Sequence, residues 1–113
     1  MTLTPVQKEL ASIGLAFVAL GITATAFASE VITVVQRDRN FLTRAVEVSV
    51  GDVVRFTNED PYVHQLYTRS ASFNFSSERQ EQGKVLSVPF TVAGTFQVRC
   101  EIHPKMVLTV AVN

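Results

Sequence analysis

Sulfur and imidazole are scarce in this chain. Its 113 residues include one cysteine, Cys100, two histidines, His64 and His103, and one methionine beyond Met1, Met106. A lone cysteine cannot close an internal disulfide, so it is paired between chains, free, or bound to something else. No further His or Cys is available to build a second metal centre, and there is no thioether-rich tract. An excess of charge is lacking too. Ten basic residues balance ten acidic ones, and the balance still holds, nine against nine, after Ser29. A neutral chain gives no electrostatic reason to propose nucleic acid or an anionic membrane surface as partner. No nucleic-acid-reading motif, internal repeat or low-complexity tract occurs, and no stretch after Ser29 has a convincing helical period.

What is present falls into two unequal parts. Residues 10–28 (LASIGLAFVALGITATAFA) form an apolar run without a charge, preceded by Lys8-Glu9. Ala26-Phe27-Ala28 has the small-x-small form of a signal-peptidase site, with polar Ser29-Glu30 after it. This predicts a signal segment over 1–28 and a mature domain over 29–113. The rival reading is an uncleaved membrane anchor, because about 20 apolar residues can span a bilayer. Gly14, Gly21, Thr23 and Thr25 make the run less hydrophobic, which favours cleavage. Either reading places the folded part outside the cytoplasm, in the periplasm or anchored on that side of the membrane.

The mature part reads as short strands separated by turn signals. Residues 31–35 (VITVV) are β-branched but for none, a first strand. The polar segment 36–43 is expected to be a loop or an irregular edge that buries Phe41 and Leu42. Residues 45–50 alternate, with Val46, Val48 and Val50 on one face, and Gly51-Asp52 then turns into 53–57. Those two strands are expected to form a hairpin. Residues 63–68 resume extended character after Asn58-Glu59-Asp60-Pro61, so His64 falls at a strand start. The polar stretch 69–83 reads as a surface excursion pinned by Phe73 and Phe75. Strands are expected at 85–90, with Pro89 marking an edge or terminus, at 95–99 and at 107–112. Seven or so short strands without a helix predict an all-β sandwich or barrel. With 85 residues after the predicted cleavage, its core is small enough for a bound metal to stabilise it noticeably.

Chemistry concentrates in Cys100-Glu101-Ile102-His103-Pro104-Lys105-Met106, a C-x2-H-x2-M run on one tight loop. Two His, one Cys and a weak axial Met are the donor set of electron-transfer copper sites. The run supplies three of the four, and His64 is the one other histidine. Taken singly, each residue has a bland explanation: His64 as a satisfied histidine, Cys100 and Met106 as core, His103 as a turn residue. Their joint spacing is what the copper reading predicts and the separate explanations do not.

The mature chain resembles the cupredoxins, the small blue copper proteins of the plastocyanin, pseudoazurin and amicyanin group. The resemblance is carried by Val48-Ser49-Val50-Gly51-Asp52-Val53-Val54-Arg55-Phe56-Thr57-Asn58, by Ala93-Gly94-Thr95-Phe96-Gln97-Val98-Arg99-Cys100, and by the short ligand loop, which is most similar to that of amicyanin. It implies a Greek-key β-sandwich and one copper ion, held by His64, Cys100 and His103 in a near-trigonal plane with Met106 as a long axial ligand. The implied function is that of a monomeric single-electron carrier, not an enzyme, between a redox donor and acceptor such as a cytochrome or dehydrogenase. The alternative is a periplasmic copper-binding or delivery protein without redox turnover. The resemblance also implies an apolar docking patch around His103, framed by Pro61, Val63 and Pro104. Asn58, Gln65 and Glu101 would surround the ligands. Where the family commonly has Asn after the first His and a hydroxyl side chain after Cys, this chain has Gln65 and Glu101. The tie between the two loops therefore either passes to the longer Gln65 amide or is lost. Glu101 is otherwise expected to pair with Arg99, and Lys105 to be a solvated side chain.

Overall fold

The computed structural model describes residues 28–113, so the predicted signal segment lies outside the described residues except for Ala28. Nine strands are present among the described residues: β1 (Val31–Arg37), β2 (Asn40–Phe41), β3 (Ala45–Val48), β4 (Val53–Asn58), β5 (Leu66–Arg69), β6 (Asn74–Ser76), β7 (Val85–Pro89), β8 (Gly94–Cys100) and β9 (Val107–Val112). They form a four-stranded sheet in the order β2-β1-β4-β7 and a five-stranded sheet in the order β3-β9-β8-β5-β6. No helix occurs among the described residues. The all-β sandwich expected from the sequence is the observed architecture.

Period two decides which side chains meet between the sheets. In β4, Val54, Phe56 and Asn58 are buried while their neighbours are half-exposed; in β9, Leu108, Val110 and Val112 do the same. Val34, Val88 and Phe90 complete one inner face, and Leu66, Phe96, Val98 and Cys100 the other. Burying each large apolar side chain contributes about 1.5–3 kcal/mol, so this alternation is the main source of cohesion. Phe73 packs on Phe90 and Phe96 with ring centroids 5.1 and 5.2 Å apart, which pins the excursion after β5 as expected. Pro89 ends β7, an edge strand, where a missing N–H leaves no ladder bond unmade.

Four local expectations are corrected. Residues 45–48 and 53–58 do not form a hairpin. β3 pairs in parallel with β9, and β4 pairs in parallel with β1, so the two belong to different sheets. The Gly51-Asp52 turn carries the chain across the sandwich, with Gly51 at φ 94° and the Asp52 carboxylate accepting the Ser49 and Glu30 N–H groups at 2.8 and 2.9 Å. Val50 consequently leaves the face of Val48 and is exposed. Phe41 is buried, but Leu42 is not, because β2 alternates and turns Leu42 outward. The 36–43 segment is the edge of its sheet and not a loop, and it is more regular than expected. Gln36 and Arg37 continue β1, and Asp38-Arg39, at φ 54° and 58°, make a two-residue hairpin turn into β2.

Candidate metal centre

Backbone pairing at one end of the five-stranded sheet assembles the site. Cys100 is the last residue of β8 and lies opposite Leu66 at the start of β5. The Glu101 N–H donates to the Gln65 carbonyl at 2.8 Å and extends that pairing past the strand ends. His64, just before β5, exchanges both backbone hydrogen bonds with Gln80, at 3.0 and 2.7 Å. The loop after Cys100 turns back tightly, with the Met106 N–H donating to the His103 carbonyl at 3.0 Å, and the chain re-enters the sheet as β9. Met106 is buried at the base of this loop. The end of β8 and the start of β5 thus lie side by side.

Three donor atoms converge as a result. Cys100 Sγ is 3.7 Å from His64 Nδ1 and 3.9 Å from His103 Nδ1, and the two Nδ1 atoms are 3.2 Å apart. The point equidistant from the corners of that triangle lies about 2.1 Å from each, the length of a metal–nitrogen or short metal–thiolate bond. Two imidazole nitrogens and a thiol facing one point, without a carbonyl or carboxylate between them, suit a cation. His64 and Cys100 are fully buried and His103 is half-buried, so one edge of the cluster reaches the surface. A trigonal His2Cys set with a buried thioether on the same loop is the donor chemistry of one copper ion.

Around this cluster the electrostatics are uneven. The far nitrogen of His64, Nε2, is 2.8 Å from Asp60 Oδ2, and both residues are buried. Burial pushes the Asp60 carboxyl up. Hydrogen bonds from the Arg39 amide, the His64 ring and the Asp38 amide outweigh that and hold it below the usual carboxylate range. His103 is held below the usual imidazole range, first by burial and then by the neighbouring His64, Arg39 and Lys105, with Asp60 opposing them. A lowered value keeps the His103 lone pair free for a metal over a wider pH range. Tyr62 stands edge-on to His103, with centroids 6.4 Å apart, and the Arg39 guanidinium lies 4.7 Å over the Tyr62 ring.

The residues expected around the ligands are present but connected differently. Asn58 pins the His64 loop from behind, donating to the Tyr62 and Gln80 carbonyls and accepting the Asp60 N–H. The Gln65 side chain does not bridge to Glu101; it donates to the Ser77 carbonyl at 3.2 Å. Glu101 pairs with Arg69 at 2.6 Å and not with Arg99, which turns to Gln97, because β5 brings Arg69 alongside. The tie between the loops is therefore made by backbone alone. Pro61 and Pro104 are exposed and Val63 is half-buried, and Tyr62 and Ile102 are exposed on the same two loops. Sequence reasoning missed Asp60, Tyr62, Arg39 and Gln80. Asp60, four residues before His64, was the one with a readable signal, since it pairs an acid with the first histidine.

No family profile matches the chain, and no curated protein does either. Solved structures do match. A tryptophan-to-tyrosine variant of amicyanin, in reduced form, is 26% identical over 77% of this chain and 86% of that one, with a TM-score of 0.69. A proline-to-glycine variant in the reduced Cu(I) form at pH 4 is 25% identical over 79% and 86%, with a TM-score of 0.68. The copper-containing nitrite reductase of Thermus scotoductus SA-01 shares the fold over 83% of this chain but only 24% of its own length, with 24% identity and a TM-score of 0.67. In fold and donor cluster the chain resembles the cupredoxins, amicyanin among them.

Proposed function

We propose that this protein is a single-electron carrier that holds one copper ion between His64, Cys100 and His103, with Met106 as a weak fourth donor. The observation that carries the reading is the triangle of Cys100 Sγ, His64 Nδ1 and His103 Nδ1. Copper bound there supplies one-electron chemistry between Cu(I) and Cu(II), with thiolate and thioether favouring the first and imidazole tolerating both. The chain's own part is to hold the donors still. Cys100 is fixed by β8, His64 by its two bonds to Gln80, and His103 by the turn that Met106 closes. Donors fixed by a sheet cannot relax far, which suits a site that must serve two oxidation states.

His103 is the donor nearest to solvent, and Tyr62, Ile102, Pro61 and Pro104 around its loop give a partner an apolar surface to meet. A small contact of that kind suits brief docking of a redox protein. The amicyanin likeness supports a carrier over an enzyme, as does a sequence without any further His or Cys for a second centre. Export through the 1–28 segment belongs to the same proposal.

The test is a visible absorption spectrum of the purified protein after Cu(II) and then ascorbate. An intense blue band that bleaches on reduction and returns on reoxidation is expected, and Cys100→Ser should abolish it. Copper uptake by a colourless protein would favour the delivery role. A Cys100→Ser variant that stays blue would sink the assignment of the thiolate.

A further inference from the structure

The Asp60 carboxyl is buried, and both of its oxygens are engaged, one of them facing His64. Its Oδ1 accepts the Asp38 N–H at 2.6 Å, and its Oδ2 accepts the Arg39 N–H at 3.0 Å and faces His64 Nε2 at 2.8 Å. The two amides come from the β1–β2 turn, where two consecutive non-glycine residues sit at positive φ. That conformation is uncommon for such residues. Its effect is to aim both N–H groups at one carboxylate. The Asp60 N–H is in turn held by Asn58 at 2.8 Å. The acid is thus fixed from three sides before it meets the imidazole.

A carboxylate fixed in this way leaves His64 one sensible neutral form. Nε2 is the nitrogen that carries the proton, because it faces a carboxyl oxygen that already accepts a backbone N–H. Nδ1 is then left with its lone pair, aimed at Cys100 Sγ and His103 Nδ1. A carboxylate behind a ligating histidine also increases the basicity of the ring and locks its orientation.

We propose that Asp60, seated on the β1–β2 turn, is the positioning residue of the metal centre, selecting the Nε2–H tautomer of His64 and strengthening it as a donor to a cation. The inference rests on the metal-centre reading but is separable from the redox role, because its tests use a metal-free protein and a redox-silent metal. Among the described residues the donor cluster holds no carboxylate, and Asp52 does the same backbone work elsewhere, accepting the Glu30 and Ser49 N–H groups. Asp52→Asn is therefore a control for the loss of a buried backbone acceptor alone.

Two measurements decide the matter. The first is the 15N NMR of the His64 ring in the metal-free full chain at pH 8. Protonated Nε2 with unprotonated Nδ1 is expected, and the opposite tautomer would overturn the proposal without any variant being made. The second is Zn(II) affinity by competition with a chromophoric chelator. Asp60→Asn should weaken binding about 10–100-fold, the usual cost of losing such a partner, while Asp52→Asn leaves it within about twofold. Equal affinities in Asp60→Asn and Asp52→Asn would overturn the positioning role. In the copper-loaded protein the same Asp60→Asn change should raise the reduction potential, since the lost negative charge favoured Cu(II). An unchanged or lowered potential would count against it.

Discussion

Gln80 shows how much a single polar side chain can carry when it is buried. Its Nε2 donates to the Phe56 and Lys84 carbonyls at 3.0 and 2.7 Å, its Oε1 accepts from Gln36 Nε2 at 2.8 Å, and its backbone grips His64 from both sides. A buried polar group costs free energy unless its partners are present, so removing one member leaves the others wanting. Gln80→Leu is expected to lower the unfolding free energy by about 2 kcal/mol, read from a urea titration. A loss too small to resolve would mean that the network only breaks even against an apolar side chain. In the sequence this residue was invisible. It sits in the polar run 77–84, where glutamine ordinarily faces water, and its partner Gln36 lies 44 residues away. The ligands were legible for the opposite reason: Cys100, His103 and Met106 crowd seven residues, and a chain with two histidines leaves little choice for the fourth.

At the scale of the element, alternation located the strands well and their partners poorly. A strand of period two declares which face is buried, but not which neighbour completes the ladder, so 45–50 and 53–57 read as a hairpin. The turn between them instead hands the chain to the opposite sheet. Asp52 makes that possible by accepting one N–H on each carboxylate oxygen. These bonds, Glu30's first and then Ser49's, hold its carboxyl below the usual carboxylate range despite an opposing push from burial. A folded value below the unfolded one gives stability that is present above about pH 4 and is lost as pH falls through the folded value. Asparagine offers only one acceptor oxygen, so Asp52→Asn should melt at a lower temperature than wild type at pH 7. The two melting points should converge in the acid range below the usual carboxylate value, where the wild-type carboxyl takes up its proton. Thermal melts across that range check the point, and a gap independent of pH would show that the charge on Asp52 is not what holds the crossing.

For the molecule as a whole, the site joins what is near in sequence to what is far. Cys100 and His103 are three residues apart and would keep some metal affinity in an unfolded chain, but His64 lies 36 residues before Cys100. Only the folded sandwich, through the register of β5 against β8, brings His64 to the other two. A metal that binds the folded chain more tightly than the unfolded one stabilises it by mass action. At 100 times the dissociation constant the gain is about 2.7 kcal/mol, less whatever the local Cys-His pair retains when unfolded. For a domain of this size that is roughly 10–20 °C of melting temperature. Zn(II) accepts the same thiolate and imidazole donors without redox chemistry, so thermal melts with Zn(II) and with excess chelator isolate the effect. Wild type should show the full shift, reversed by the chelator. His64→Ala, compared with its own metal-free form, should keep only a few degrees, because its remaining donors are nearly as close together unfolded as folded. A shift of the same size in both would mean that the Cys100–Met106 loop binds alone, and that the fold does not assemble the site.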